Sequence, residues 1–114
     1  MKKQFKPANI LLEKHMKELG LYFFPEYHFH PTRKWRLDYI LTDKHGAFKV
    51  GQGIAIEIEG SVYAQGRHTR GKGFEADCEK YNTATMMGYR VLRFSTGQIL
   101  RGECKAFLAE YLKR

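Results

Sequence analysis

Apolar and polar residues alternate in several stretches of the chain, which is the spacing of β-strands. In the clearest stretch, over 54–60, isoleucine at every second position alternates with Ala55, Glu57 and Glu59. Successive side chains of a strand point to opposite faces, so the isoleucines are expected in a core and the two glutamates on the other face, about 7 Å apart. Further strands are predicted over 26–30, 33–41 and 89–94.

Helical spacing of apolar residues appears in three other stretches. A helix is predicted to open near Pro7 and to stop at Gly20. A second helix is predicted over 74–87, and its apolar stripe consists of Phe74, Cys78, Tyr81 and Thr85. After an irregular link over 95–102, a last helix is predicted over about 103–113.

The predicted order α-β-β-β-α-β-α places the chain in the α/β class. Three strands form an antiparallel meander, and a crossover helix leads to a fourth strand. We therefore expect a mixed sheet flanked by helices in two or three layers. The length of 114 residues suits a single domain over 1–114, with residues 1–6 as a basic, flexible arm.

Composition restricts the classes of function. The chain has 43% hydrophobic residues, no apolar run of membrane-spanning length and no signal-type segment, which predicts a soluble, cytoplasmic protein without a membrane partner. Cys78 and Cys104 are too few for a zinc pattern and are expected to be reduced. The net charge of +8 favours a nucleic-acid partner, although charge alone does not separate DNA from RNA, or either from a merely basic protein.

Several acidic residues are predicted to lie close together on neighbouring strands and on the first helix. Asp38 lies in the middle of a strand, where aspartate is disfavoured, and it is predicted to lie opposite Glu57 on the neighbouring strand. With Glu59, and with Glu13 at the edge of the first helix's apolar face, three or four carboxylates are expected to converge. Such oxygen ligands suit Mg²⁺ or Mn²⁺. The alternative is that these acids are solvated surface charges.

The candidate nucleic-acid-binding residues lie in two segments, 33–36 and 61–73. The glycine-rich stretch over 61–73 is predicted to be a loop that grips phosphate groups, because glycine allows the backbone to approach a bulky anion. The candidate nucleic-acid-binding residues are Arg33, Lys34, Arg36, Arg67, Arg70 and Lys72. The alternative is a surface loop with solvated charges.

Several motifs occur in an order that resembles the PD-(D/E)XK nuclease superfamily. More narrowly, the chain resembles the very-short-patch-repair-like branch and the related small phage endonucleases described as Holliday-junction resolvase-like. The resemblance covers about residues 10–112. The motifs that carry it are Asp38, Ile56-Glu57-Ile58-Glu59-Gly60, His68, Asp77-Cys78-Glu79-Lys80 and Gly88-Tyr89-Arg90-Val91-Leu92-Arg93-Phe94.

The resemblance implies a metal site on the two central strands. Asp38 and Glu57 would be the metal ligands, with the carbonyl of Ile58 as a third. Glu59 stands where the family usually has a lysine, so it would act as a general base or as a further ligand. Lys80 would then supply the missing cation.

His68 has two readings within this resemblance. It would orient the attacking water or protonate the leaving group, or it would be one more phosphate-binding residue of the loop.

The expected function is a metal-dependent DNA endonuclease of phage or bacterial recombination or repair. Its substrate would be branched, junction or mismatched DNA. A junction resolvase requires two active sites and hence a homodimer, whereas a nickase can act as a monomer. The alternatives are a non-catalytic nucleic-acid-binding module that uses the basic loop and Trp35, and a structural or interaction protein.

Overall fold

The computed structural model describes residues 7–48, 52–60 and 71–112. The elements in chain order are α1 (Pro7–Glu18), β1 (Tyr22–His28), β2 (Arg36–Thr42), β3 (Ile54–Glu59), α2 (Lys72–Met86), β4 (Arg90–Ser95), α3 (Thr96–Leu100) and α4 (Glu103–Tyr111). The predicted α/β class is confirmed. The predicted basic arm and most of the predicted phosphate-binding loop lie outside the described residues. None of the described helices is long and apolar enough to cross a membrane.

The link between β4 and α4 is more regular than predicted. It contains the short helix α3, which begins after Ser95. The Ser95 side chain accepts the Gln98 N–H, and the Gln98 side chain accepts the Ser95 N–H. This reciprocal capping box satisfies backbone donors at the start of the helix, and it explains why a stretch containing Gly97 becomes helical.

The four strands form one mixed sheet in the order β1-β2-β3-β4. β1, β2 and β3 are antiparallel to their neighbours in sequence, and β4 is parallel to β3. The helix α2 makes the crossover between these parallel strands, as predicted. β1 begins at Tyr22, earlier than predicted, because its first residues pair in register with the end of β2.

Both faces of the sheet are covered, which makes the domain three-layered. Ile56 packs into a core with residues of α1, α3 and α4, among them Leu12, Ile99 and Leu108. The preceding residue, Ala55, belongs to a second core with Ala84 of α2. Since consecutive strand residues point to opposite faces, the second face of β3 is buried beneath α2.

A change of face occurs at Asp38 and corrects one prediction. The alternation over 33–41 predicts that Trp35, Leu37, Tyr39 and Leu41 share one face of the strand, but the structure divides them between the two cores. Trp35 and Leu37 pack on the α2 side, whereas Tyr39 and Leu41 pack on the α1 side. Opposite Asp38 in the β1–β2 register lies Glu26, whose φ of 53° interrupts the regular alternation of β1.

The helix α2 contacts the sheet through its C-terminal half. The predicted stripe of this helix is confirmed at Tyr81 and wrong at its other three residues: Phe74 is 59% exposed, and Cys78 and Thr85 are exposed as well. The buried residue of the helix is Ala84, and Tyr81, three positions earlier, packs against the same core. The face of α2 that contacts the sheet therefore contains Tyr81 and Ala84.

Candidate functional site

The site is built where the pairing of β2 with β3 ends. Tyr39 pairs with Ile56 at this end of the ladder, and Asp38 and Glu57 are the next residues along the two strands. The carboxylate Oδ2 of Asp38 accepts the backbone N–H of Ile58 at 2.7 Å. The Asp38 side chain thus satisfies a backbone N–H of β3 beyond the end of the β2–β3 ladder. This hydrogen bond holds the Asp38 carboxylate beside Glu57. It also places Ile58 in contact with Asp38 through its N–H.

Glu57 is the buried acid of the pair, with only 5% of its surface exposed. Burial and the neighbouring Asp38 carboxylate raise the pKa of Glu57 to about 8, against the opposing effect of Lys80. The charged form is disfavoured because the carboxylate has lost its hydration and faces a second negative charge. The pair therefore favours uptake of a proton or of a cation.

Lys80 provides one positive charge at this point. It extends from α2, and its Nζ lies 3.1 Å from Glu57 Oε2. The motif Asp77-Cys78-Glu79-Lys80 therefore contributes to the site through its last residue. The sequence placed Lys80 on the helix behind the site, and the structure brings it into direct contact with Glu57.

Glu59 has a different partner from Glu57. Arg93 Nε lies 2.8 Å from Glu59 Oε2, and the Arg93 guanidinium lies 4.2 Å from the centre of the Tyr81 ring. Burial and the charges of Glu57 and Glu59 raise the pKa of the Tyr81 phenol. Tyr81 therefore stays neutral and packs between the two acid–base pairs.

Sequence reasoning missed the contributions of Arg93 and Tyr81. The predicted crossover helix makes β4 parallel to β3, but the contact of Arg93 with Glu59 required the register of these strands, in which Glu57 lies opposite Arg93. Tyr81 lies next to Lys80 in sequence, but the apolar stripe predicted for α2 does not indicate its contact with Arg93.

A cleft of about 310 Å³ opens beside Asp38. The residues that line it are Glu26, Lys34, Trp35, Arg36, Asp38 and Lys80. Arg36 forms an ion pair with Glu26 at 3.1 Å, and Arg33, just outside the cleft, forms one with Glu79 at 3.0 Å. The structure thus places the predicted cations Lys34 and Arg36 at the same cleft as Asp38.

The structure does not bring Glu13 to the Asp38–Glu57 pair. Glu13 accepts a hydrogen bond from the Tyr39 hydroxyl at 2.6 Å. Tyr39 belongs to the core beneath α1, on the sheet face opposite to α2. Within 7–48, 52–60 and 71–112, no three His, Cys, Asp or Glu side chains are placed to hold a metal ion together. The expected convergence of three or four acids therefore reduces to Asp38 and Glu57.

The predicted loop residues have separate outcomes. Arg67, His68 and Arg70 lie outside the described residues. Lys72 is the first residue of α2 and is exposed.

Asp38 and Glu57 are the residues that could hold a divalent cation. Mg²⁺ is commonly bound by one or two carboxylates, with water and substrate phosphates completing its coordination. Two adjacent carboxylates, one of them with a raised pKa, are a donor set of this kind.

No protein-family model, curated protein or solved structure matches the chain. The chemistry of the site follows from its own residues. These are a pair of neighbouring carboxylates of which Glu57 is buried, an ammonium in contact with Glu57, and a cleft with cationic side chains at its edge.

Proposed function

We propose that this protein is a metal-dependent DNA endonuclease that hydrolyses phosphodiester bonds at the Asp38–Glu57 pair with Mg²⁺ or Mn²⁺. The observation that carries the proposal is the buried Glu57 carboxylate beside Asp38, with its pKa raised to about 8. The resemblance of Asp38 and Glu57-Ile58-Glu59 to the PD-(D/E)XK motifs supports the same reaction class.

The charge of the protein supports a polyanionic substrate. The chain has a net charge of +8, and Lys34 and Arg36 line the cleft that contains Asp38. Carboxylates beside the cleft would repel phosphate groups unless a cation were bound between them. Binding of DNA alone gives no reason for two neighbouring carboxylates at this place, whereas phosphodiester hydrolysis does.

Each residue of the site has a role in this proposal. Asp38 and Glu57 would hold the ion, which when bound would neutralise phosphoryl oxygens and activate a water molecule. Lys80, in contact with Glu57, would offer its ammonium group to the anionic phosphoryl group, as a substitute for the lysine usual at the position of Glu59. Glu59 would accept a proton as a general base or act as a further ligand.

The second candidate is a non-catalytic nucleic-acid-binding module. The observation that favours it is the ion pair between Glu59 and Arg93. A carboxylate neutralised by arginine is a weaker base and a weaker ligand than a free one. In this alternative the cationic side chains around the cleft bind DNA, and Asp38 and Glu57 serve the fold.

The test is nicking of supercoiled plasmid in Mg²⁺, Mn²⁺ or Ca²⁺. We expect Glu57→Gln and Asp38→Asn to lower the rate by at least about 100-fold, because removal of a ligand should exceed the loss known for removal of its supporting partners. Glu103→Gln is the matched control, since Glu103 is an exposed glutamate on α4, which packs on the sheet face opposite to α2. A wild-type protein that binds DNA but cleaves with none of these ions would establish the second candidate.

The structure of the DNA substrate is a separate part of the proposal. Symmetric cleavage of a four-way junction requires two copies of the site and therefore a homodimer. We would compare junction, mismatched, flapped and intact duplex DNA as substrates, and measure the mass of the protein in solution by light scattering. Paired cuts by a dimer would indicate a resolvase, and single nicks by a monomer a nickase.

A further inference from the structure

Trp35 lies in the cleft beside Asp38 and is held there by other aromatic rings. Its indole stacks with the ring of Phe29, with an angle of 14° between the planes and 6.0 Å between the centroids. Phe29 is only 4% exposed, and the His30 ring meets the indole edge-on at 5.3 Å. These contacts fix the orientation of the indole from within the protein.

The chain before Trp35 is ordered by a side-chain acceptor. Nδ1 of His30 accepts the backbone N–H groups of Thr32 at 3.2 Å and of Arg33 at 3.0 Å. A ring nitrogen that accepts two backbone donors stabilises the turn at Pro31 in the same way as an Asx-type turn. The position of Trp35 therefore depends on the turn and on Phe29.

A cationic side chain covers the indole. The Arg33 guanidinium lies 3.8 Å from the centre of the Trp35 ring and forms an ion pair with Glu79. The side chains of Arg33 and Glu79 are 47% and 58% exposed, so solvent and salt weaken this pair. A phosphate group offers the guanidinium a bidentate partner of higher charge. Arg33 can therefore leave Glu79 and the indole when a nucleic-acid backbone arrives.

We propose that Trp35 is a stacking platform for an unpaired DNA base, and that Arg33 covers it until DNA binds. Arg33 would then contact a phosphate, and the exposed indole would accept the base beside the Asp38–Glu57 pair. A base inside an intact duplex is already stacked on its neighbours, so the platform selects DNA with a bulged, gapped or flapped nucleotide. The inference rests on the proposed function, since it takes DNA as the partner.

The platform can be observed directly, because Trp35 is the only tryptophan of the chain. The test is a fluorescence titration of the full chain in EDTA with an intact duplex and with the same duplex containing one bulged nucleotide. We expect quenching with the bulged DNA alone, and about tenfold tighter binding of that DNA, from the usual strength of base–aromatic stacking. Equal quenching by the intact duplex, or no quenching by either DNA, would overturn the proposal.

Substitutions of Trp35 and Arg33 distinguish the effect of base stacking on DNA binding from the effects of charge and of folding. Binding followed by fluorescence anisotropy of labelled DNA should show that Trp35→Leu loses the preference for bulged DNA and that Trp35→Phe retains it. If Trp35→Leu does not fold, loss of the preference in Trp35→Phe would overturn the proposal. Arg33→Ala should weaken binding of both DNAs alike, with a smaller salt dependence, and should keep the quenching. Loss of quenching in Arg33→Ala would contradict its role as a cover.

The result is independent of catalysis. Because the titration contains no divalent ion, quenching by bulged DNA from a protein that never cleaves would remove the proposed endonuclease and leave the platform. Cleavage with an unchanged substrate preference in Trp35→Leu would remove the platform and leave the endonuclease. Stronger quenching by single-stranded RNA than by DNA of the same sequence would overturn the assignment of DNA.

Discussion

Lys80 Nζ lies 3.1 Å from Glu57 Oε2, and the two side chains are only 18% and 7% exposed. Glu57 also adjoins Asp38, and burial together with the charge of Asp38 raises the pKa of Glu57. A single ammonium group therefore contacts one of two neighbouring carboxylates. In the proposed function, the negative charge that it leaves uncompensated would be taken up by a divalent cation. This ion pair also ties α2 to β3 at the centre of the candidate site.

Removal of the ammonium group should destabilise the fold in a pH-dependent way. Lys80→Met keeps the aliphatic stem, and we expect it to lower the free energy of unfolding by roughly 3 kcal/mol at about pH 9, as for other buried pairs that lose one partner. The loss should be smaller near pH 6, because Glu57, with its pKa of about 8, is then largely protonated. Urea denaturation at both pH values measures it.

The matched control for this variant is Lys105→Met. Lys105 pairs with Glu18 at 2.8 Å, but the two side chains are 38% and 39% exposed. An exposed pair contributes less than about 1 kcal/mol, so this variant should lose correspondingly little. Equal losses in the two variants would contradict the special position of Lys80.

Glu57 should make the protein less stable as the pH rises. Its pKa in the folded state, about 8, exceeds the ordinary value of 4.5, so the folded state binds the proton more tightly than the unfolded state. The resulting stabilisation is complete below the ordinary value and is lost as the pH rises toward 8, by at most about 1.4 kcal/mol per pH unit.

Glu57→Gln isolates this effect. The variant lacks the titrating group, so its free energy of unfolding should change less than that of the wild type between about pH 5 and pH 8 in urea melts. The exposed control Glu79→Gln should follow the wild type. Parallel curves for Glu57→Gln and the wild type would show that Glu57 does not titrate in this range.

Arg93 should matter more to stability than its ion pair with Glu59 implies. Glu59→Gln removes the charge from a partly exposed pair, and the expected loss is below about 1 kcal/mol. Arg93→Ala also removes the packing of the guanidinium over Tyr81, so its loss should be larger. Arg93→Met, which restores an apolar stem, should fall between them. Indistinguishable urea midpoints for the three variants would show that the Tyr81 contact contributes nothing.

The positive φ of Glu26 predicts an order of substitutions. At 53° a glycine is unstrained, whereas a β-branched side chain is strained most. We expect Glu26→Gly to be more stable than Glu26→Val by more than about 1 kcal/mol, since both variants lose the ion pair with Arg36 and differ in backbone strain. Thermal melts would measure both. Stability of Glu26→Val at or above that of Glu26→Gly would contradict the left-handed conformation.

The sequence by itself determined the class of the fold and, apart from the short helix α3, the order of the elements. Alternation over 54–60 places Ile56 and Glu57 on opposite faces of a strand, because a side chain's direction depends on the local backbone alone. The same local rule identified the meander and the crossover, and with them the neighbouring positions of Asp38 and Glu57. The catalytic roles of these residues remain predictions.

Only the tertiary structure decided the environment of those residues. Whether a strand face is buried depends on the helix that covers it, so the burial of Glu57 and its contact with Lys80 required α2 to be in place. The change of face at Asp38 coincides with the positive φ of Glu26 on the neighbouring strand, which no local pattern in β2 indicates. The pairing of Glu59 with Arg93 joins distant parts of the chain. Sequence periodicity reports local geometry, and charges acquire their partners only when remote elements pack together.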